Sequence, residues 1–397
     1  MPNPLAALRD LRGPLGVLAS MLFVSQLGIG VMLPIIPLYA ISLGASPRDL
    51  GLLTTAFSLA NVAAQLGIGF ILDRVDPRIP VRAGIATYAG ANFLISTAAS
   101  VPSLLAFRAL AGLGGGANLV ADRVYLSRIA EPARLAYLNG LLGSAASSGA
   151  LMGPAIGGLL AQVADLRAPF LVVAATSSIA FLASLRLPPA ARPAAAAGGI
   201  VASAFNRSVI VLLVANTLLL STFGAFITTF APYSTTAFGW STAEVGIVFS
   251  IFAIGSLAAA PLGAVADRRG RRLVGTYATL PVLFFALALV FALPRPVIYV
   301  GALGAGAGIS TFGACWFALL TEASPEARRG RTFGIVNAIS TLGVVIGANG
   351  AALLWELYDI RSGLVFAGIG AALAGLSLNF LPRRPKPVPA ADEARAA

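Results

Sequence analysis

The chain has 397 residues and a net charge of +12, yet 58% of its residues are hydrophobic and only 11% are charged. A soluble domain has about 25% charged residues, so these side chains are too few to cover the surface of a soluble globular protein. The chain has no histidine and one cysteine, Cys315, which excludes histidine-based triads, metal sites built on histidine or cysteine clusters, and internal disulfides. We therefore expect no metal, no cofactor and no enzymatic activity.

Twelve stretches are long and apolar enough to cross a bilayer, which takes about 20 residues each. The first could also be a cleaved signal peptide, but its apolar run exceeds the length of such a leader, and we interpret it as a retained span. We number the spans 1–12 in chain order. They cover approximately 14–43, 50–72, 81–100, 102–127, 135–162, 168–187, 208–237, 243–266, 273–293, 296–321, 332–355 and 361–381.

The spans divide into two sets of six around a proline- and alanine-rich segment. We predict an N-terminal six-helix bundle at 1–187 and a C-terminal six-helix bundle at 208–381. The intervening residues, 188–207, have the composition of a flexible cytoplasmic linker. The polar, proline-rich residues 382–397 are predicted to be a disordered cytoplasmic tail. The fold class is therefore an all-α membrane protein with twelve transmembrane helices.

The positive charges predict the orientation of these spans. With the N-terminus inside, 22 lysines and arginines fall in inner segments, four fall in outer segments, and Arg108 lies within span 4. The positive-inside rule then places both termini in the cytoplasm of a multi-pass protein of the cell (inner) membrane. The basic charge is explained by contact with anionic lipid headgroups, and we expect no nucleic-acid partner.

The two halves of the sequence resemble each other at an offset of 194 residues. The segment from Gly69 to Arg74 aligns with the segment from Gly263 to Arg268, each ending in an Asp-Arg pair. Further glycines of span 5 align with glycines of span 11. Such a repeat of six spans is typical of secondary transporters, whose sites lie at the midplane between the repeats.

Three motifs carry a resemblance to the major facilitator superfamily over nearly the whole chain. One is the loop after span 2 with its echo after span 8, although Asp76 and Pro77 replace the expected glycine and basic residue in the first copy. The second lies in span 4, at Arg108, Gly112 and 114–116. The third, in span 5, resembles the antiporter signature of drug/proton exporters. The loop motif comprises Gly69, Asp73, Arg74, Arg78, Gly263, Asp267, Arg268, Gly270 and Arg271, and the antiporter-type motif comprises Gly149, Gly153, Pro154, Gly157 and Gly158.

The resemblance implies roles for two of these motifs. The loops are expected to form a cytoplasmic latch of ion pairs that breaks when the halves rock apart, whereas the alternative is that their arginines only set the topology. The glycines of span 5 have the small-xxx-small spacing that lets helices approach closely, and Pro154 is expected to kink the span. The motif could serve export, ordinary close packing, or both.

Span 4 carries the ionisable residues that lie within a predicted span. Asp122 and Arg108 are 14 positions apart, which puts them about 40° apart around the helix and about 21 Å apart along it. Asn118 lies one turn before Asp122 on the same side. Because ionisable groups in the membrane are costly, both are functional candidates. Asp122 is interpreted either as the proton-coupling carboxylate or as the latch partner of Arg74 or Arg78, and Arg108 as a gating, relay or anion-contacting group.

These features predict an exporter of small hydrophobic or amphipathic molecules that works by alternating access in exchange for protons. The alternatives are an importer or facilitator of a small metabolite on the same fold and, more remotely, a non-transporting membrane sensor. The expected partners are the small-molecule substrate, protons and the lipid bilayer, and the protein is expected to be a monomer. The predicted substrate-cavity residues are Gln26, Arg108, Asn118, Asn216 and Trp316.

Overall fold

The computed structural model describes residues 13–72, 75–129, 135–189, 206–324 and 329–382. Within these ranges the regular structure is helical, and twelve helical spans occur where the sequence predicts them. Nine helical stretches of the described residues are long and apolar enough to cross a membrane by length and composition. The described residues therefore confirm the predicted all-α membrane fold.

The six spans of the first half begin and end close to their predicted limits. Span 1 is made of two helices separated at Leu33 and Pro34. The bounds are Pro14–Met32 and Ile35–Ser42 (span 1), Pro47–Leu72 (span 2), Arg78–Ser96 (span 3), Val101–Ile129 (span 4), Leu135–Val163 (span 5) and Ala168–Ser184 (span 6).

The second half has the same number of spans, two of which are interrupted. Span 8 contains a 3₁₀ turn, Ser256–Ala258, and span 9 is broken at Thr279 ahead of Pro281. The bounds are Arg207–Ala237 (span 7), Thr242–Gly255 and Ala259–Arg269 (span 8), Arg271–Ala278 and Leu280–Val290 (span 9), Arg295–Ala323 (span 10), Arg329–Leu357 (span 11) and Ile360–Ser377 (span 12).

Side-chain caps fix several of these helix starts. Asn206 and Asp359 accept hydrogen bonds from backbone N–H groups in the first turns of spans 7 and 12. Span 8 begins with a capping box in which Ser241 and Glu244 each accept from the other's backbone N–H. Such caps satisfy N–H groups that have no partner inside the helix.

Large apolar side chains cover the outside of the bundle. Leu66, Ile179, Leu257 and Ile346 each expose more than half of their surface. Apolar side chains exposed on every side would be unfavourable in water, whereas lipid tails solvate them well. The outer surface of the bundle is therefore suited to a bilayer.

Glycines reproduce the sequence repeat in the packing. In the first half, Gly149 and Gly153 of span 5 lie against backbone carbonyls of span 1, and in the second half Gly343 and Gly347 of span 11 lie against backbone carbonyls of span 7. A β-carbon at any of these positions would collide with the opposing carbonyl. The four carbonyls belong to Phe23, Leu27, Thr217 and Ser221, in the same order. Because each glycine and each carbonyl of the first half recurs 194 residues later, the two helix pairs share one packing register.

We call the contact of the span 5 glycines with the carbonyls of span 1 the seam. It predicts that alanine substitutions at two glycines of span 5 differ in their effect on stability. Gly157 faces the carbonyl of Val31, whereas no atom lies near a β-carbon placed on Gly143. We expect Gly157→Ala to destabilise the protein by about 1–3 kcal/mol through overpacking, and Gly143→Ala to leave it unchanged. Thermal unfolding of the purified variants in detergent measures this. Equal unfolding temperatures for the two variants would contradict the seam.

Candidate functional site

A cavity of about 300 Å³ lies between the two halves. Spans 1, 2 and 4 of the first half and spans 7 and 11 of the second contribute its walls. Most of the lining is aliphatic or aromatic, and the polar lining residues are neutral except for Arg108. The lining comprises Ile29, Met32, Leu33, Ile36, Pro37, Leu50, Leu53, Thr54, Phe57, Ser58, Asn61, Arg108, Phe223, Ile227, Thr228, Thr341 and Val344.

Arg108 is the charged group of this cavity. Its guanidinium carbon lies 4.4 Å from the centre of the Phe57 ring, a cation–π distance. The Nε atom is buried and donates no hydrogen bond within the described residues. Since an unpaired charge in a low-dielectric site is costly, the ring offsets only part of that cost, and the guanidinium retains donors for an acceptor that enters the cavity.

Four of the five neutral polar residues that line the cavity, all except Ser58, have hydrogen-bond partners among the described residues. Asn61 donates to the carbonyl of Gly112 at 3.3 Å and accepts from Gln65 at 2.6 Å. Thr54 and Thr228 donate to carbonyls of their own helices. The sequence reasoning missed Asn61 and Phe57. The signal for Asn61 was the polar pair with Gln65 one turn later in an otherwise apolar span.

A second cavity of about 120 Å³ shares Ile29, Leu33 and Phe223 with the first. Gln26 of span 1 and Pro154 of span 5 line it, so the structure brings a predicted cavity residue and the antiporter-type motif to one place. Three phenylalanine rings that stack or tilt against one another form another part of the lining. They belong to Phe226, Phe249 and Phe252.

The other three predicted cavity residues do not line either of these cavities. Asn118 is buried where span 4 meets span 3, beside Gly84. The indole N–H of Trp316 donates to the carbonyl of Leu212 at 2.8 Å inside the second half. Asn216 is also buried. Trp316 therefore has the packing role that is the common alternative for an aromatic residue in a span.

Asp122 is separated from the cavity. It is 6% exposed, one turn beyond Asn118, and none of the described residues donates to its Oδ1 atom. Arg78, one of its two suggested partners, is instead paired with Asp76 at 2.8 Å and donates to the carbonyl of Leu187. The other, Arg74, lies outside the described residues together with Asp73.

The two halves are joined near the predicted outer face. The hydroxyl of Ser250 in span 8 donates to the carbonyl of Leu151 at 3.1 Å and accepts from the N–H of Ala155 at 3.2 Å. It therefore bridges span 5 across Pro154, where the proline removes a backbone donor. Thr242 of span 8 also donates to the carbonyl of Gly158 at 2.9 Å. We call this contact between spans 5 and 8 the outer seal.

Spans 2 and 11 make the pseudo-symmetric contact on the other side of the outer face. The amide of Asn349 donates to the hydroxyl of Thr55 at 2.7 Å, and Gly51 lies against the backbone of Asn349. The two contacts together join the halves at this end, beside the cavity that lies between them.

The family model of the Major Facilitator Superfamily matches residues 18–236 and 212–397. The chain belongs to this superfamily. The resemblance inferred from the three motifs is thereby confirmed, and the chain is a multi-pass membrane protein of a superfamily that comprises transporters.

Known superfamily proteins show both sequence and structural similarity to the chain. It is 28% identical over 166 residues to the quinolone resistance protein NorA of Staphylococcus aureus, a match that spans 42% of each protein. A nucleoside transporter, NupG, has a TM-score of 0.78 at 15% identity, covering 93% of this chain and 99% of that one. A bacterial homologue of the lysosomal transporter Spinster, inward-facing and unoccupied, has a TM-score of 0.77 at 15% identity, covering 94% and 98%. These structural likenesses show the shared fold.

The loop motif of the superfamily is formed in its second copy. Arg271 forms an ion pair with Asp267 at 2.7 Å and a second ion pair with Glu322 of span 10. Gly270 allows the turn between spans 8 and 9, because its φ of 102° is unfavourable for residues with a side chain. The second copy thus links spans 8, 9 and 10 by ion pairs at the predicted inner face.

The first copy has a different ion pair. Asp76 and Arg78 pair within the loop, two positions apart. Although burial opposes the shift, hydrogen bonds from Arg78 hold the pKa of the Asp76 carboxyl below its usual value. In the second copy, the ion pairs of Asp267 and Glu322 are made with Arg271 and not with Arg268. In the described part of the first copy the ion pair is therefore local to the loop.

The outer seal predicts an effect of Ser250→Ala on access to the cavity. Loss of a hydrogen bond worth about 1 kcal/mol shifts a two-state equilibrium about fivefold, so the seal opens more often. We expect about fivefold faster alkylation of a Thr54→Cys variant, in a Cys315→Ser background, by an impermeant maleimide added to intact cells.

The matched control is Ser256→Ala on the same span. Its hydroxyl donates only to the carbonyl of Ala253 in its own helix turn, so the alkylation rate should not change. An unchanged rate in Ser250→Ala as well would show that this hydroxyl does not hold the halves together.

Proposed function

We propose that this superfamily member exports small hydrophobic or amphipathic molecules across the cell (inner) membrane by alternating access, in exchange for protons. The observation that carries the proposal is the largely apolar cavity walled by both halves, with the outer seal directly beside it. A site between two halves that are joined at one end can be exposed to each side in turn. In the proposed orientation both termini are cytoplasmic, and the working unit is a monomer.

The direction of transport is proposed from span 5. Its antiporter-type motif packs on span 1 through Gly149 and Gly153 and on span 8 through Gly158. The motif thus contacts both halves at the point where they must separate. The partial match to NorA, a quinolone resistance protein, supports export of amphipathic organic compounds.

Proton coupling is proposed to use Asp122. Of the carboxylates in the described residues, the others lie at helix ends or in loops, whereas Asp122 lies inside span 4. Its Oδ1 atom is buried and accepts no hydrogen bond from the described residues, so it is free to take up a proton. Because it lies about 21 Å along the helix from Arg108, the proton and the substrate would occupy separate places. An interaction between Asp122 and the loop arginines remains the competing interpretation.

An importer or facilitator on the same fold is the second candidate. It is favoured by Gln26, which stands in span 1 where many exporters of this kind carry an acid. Accumulation of substrate inside intact cells would support this candidate, and exclusion from intact cells would support export.

The coupling proposal is tested in everted membrane vesicles with nalidixic acid, a quinolone-type carboxylic acid without a basic amine side chain. We expect uptake driven by an imposed proton gradient, and we expect Asp122→Asn to abolish it while thermal stabilisation of the purified protein by nalidixic acid persists. Arg108→Ala should reduce both uptake and stabilisation, since it alters the cavity itself.

The control for Asp122→Asn is Asp165→Asn. Asp165 lies in the loop before span 6 and accepts from backbone N–H groups, a role that asparagine also fills. Its uptake should equal that of the wild type. Uptake in the wild type that is independent of the gradient would contradict antiport, and normal coupling in Asp122→Asn would remove this residue from the proton path.

A further inference from the structure

We propose that the central cavity is selective for amphipathic organic anions, in which a carboxylate or a similar acidic head is joined to an apolar body. Arg108 binds the head, and the aliphatic and aromatic walls bind the body. This inference rests on the proposed transport function and adds the substrate class to it.

The charges of the cavity give the first argument. Its lining contains one cation, Arg108, and no carboxylate. The smaller cavity, which shares three lining residues with it, is lined by neutral residues. Neither contains a group that could neutralise a cationic compound. A cation would also be repelled by Arg108, and in a low-dielectric site this repulsion is weakly screened.

The bonding state of Arg108 gives the second argument. A guanidinium has five N–H donors in a planar fork that matches a carboxylate, yet the buried Nε of Arg108 donates to none of the described residues. Arg108 therefore keeps at least one donor that the described residues leave unused.

The position of the acidic residues gives the third argument. Asp122 is on the same helix but about 21 Å away, and it does not line the cavity. Glu356 and Asp49 lie at the predicted outer ends of spans 11 and 2. Arg108 therefore lacks an internal counter-ion among the described residues. An incoming anion would supply one and remove the cost of an unpaired charge.

The apolar walls determine the rest of the ligand. Ile29 and Leu33 of span 1 and Phe223 of span 7 line both cavities. They form a continuous apolar surface from the region of Arg108 towards the cluster of phenylalanine rings around Phe226. A compound with one acidic head and an aryl or alkyl body fits this division, whereas a small polyanion would leave most of its charge unpaired.

A matched series of probes tests the proposal. We would measure binding of 4-phenylbutyrate, 4-phenylbutanamide and 4-phenylbutylamine to the purified full-length protein by calorimetry. These probes share one body and differ in the charge of the head. We expect the carboxylate to bind about tenfold or more tightly than the amide, as charge-assisted hydrogen bonds imply, and the amine to bind most weakly.

The variants assign the preference to Arg108. Arg108→Gln should remove the preference for the carboxylate while leaving amide binding within about threefold, and Arg108→Lys should restore part of it. The control Arg48→Gln removes an exposed arginine in the first turn of span 2, away from the cavity lining, and should change nothing. Tighter or equal binding of the amine or amide by the wild type, no binding of the carboxylate, or a preference that survives in Arg108→Gln would each overturn the proposal.

Transport separates this proposal from the proposed function. Gradient-driven uptake of the amine or of the amide in preference to the carboxylate would overturn the anion selectivity and leave export intact. Tight carboxylate binding that requires Arg108, without gradient-driven transport of any probe, would support the anion site and contradict proton-coupled export.

Discussion

Close approach of helix backbones at glycine is the contact on which the rest of this structure depends. Spans in a bilayer gain little from burying apolar side chains against one another, because lipid tails are equally apolar. Here spans 5 and 11 lie directly on backbone carbonyls of spans 1 and 7 at Gly149, Gly153, Gly343 and Gly347. These contacts hold each half together as a unit, and a unit that keeps its shape can move against its partner.

The seam and the outer seal lie on different faces of span 5, which connects packing to function. One face is held by glycines against span 1, and another contacts span 8 through Gly158 and Ser250. Pro154 lies between them and also lines the smaller cavity. A change at the cavity can therefore reach the seal within one turn of helix. The polar contacts of the seal are individually worth about 1 kcal/mol, so they can break and reform during a transport cycle.

The sequence predicted the spans and the repeat because both depend on hydropathy and on glycine spacing, which are local properties. It also singled out Arg108 and Asp122 correctly as charges within a span. It could not determine which way each face of a helix points. Asn118 and Trp316 were predicted to line a cavity, but Asn118 packs beside Gly84 and Trp316 donates to a carbonyl in the core, contacts that depend on the rotation of neighbouring helices.

The partners in the ion pairs likewise could not be predicted from the sequence. The departure of the first loop from the family pattern was visible in Asp76 and Pro77, but the local pair between Asp76 and Arg78 required the turn geometry. In the second loop, Glu322 joins Asp267 and Arg271 from a span about fifty residues away. Such long-range partners are chosen by the assembled bundle and leave no signal in the spacing of the motif.

In the proposed transport cycle, two rigid halves rock about a cavity at the midplane. Distances between spin labels test it most directly, with one pair of cysteines at Thr97 and Tyr358 near the predicted outer face and another at Arg186 and Arg269 near the inner face, in a Cys315→Ser background. Adding a compound that the vesicles transport should lengthen the outer distance and shorten the inner one. Distances that change in the same direction, or that stay fixed while transport continues, would contradict the account.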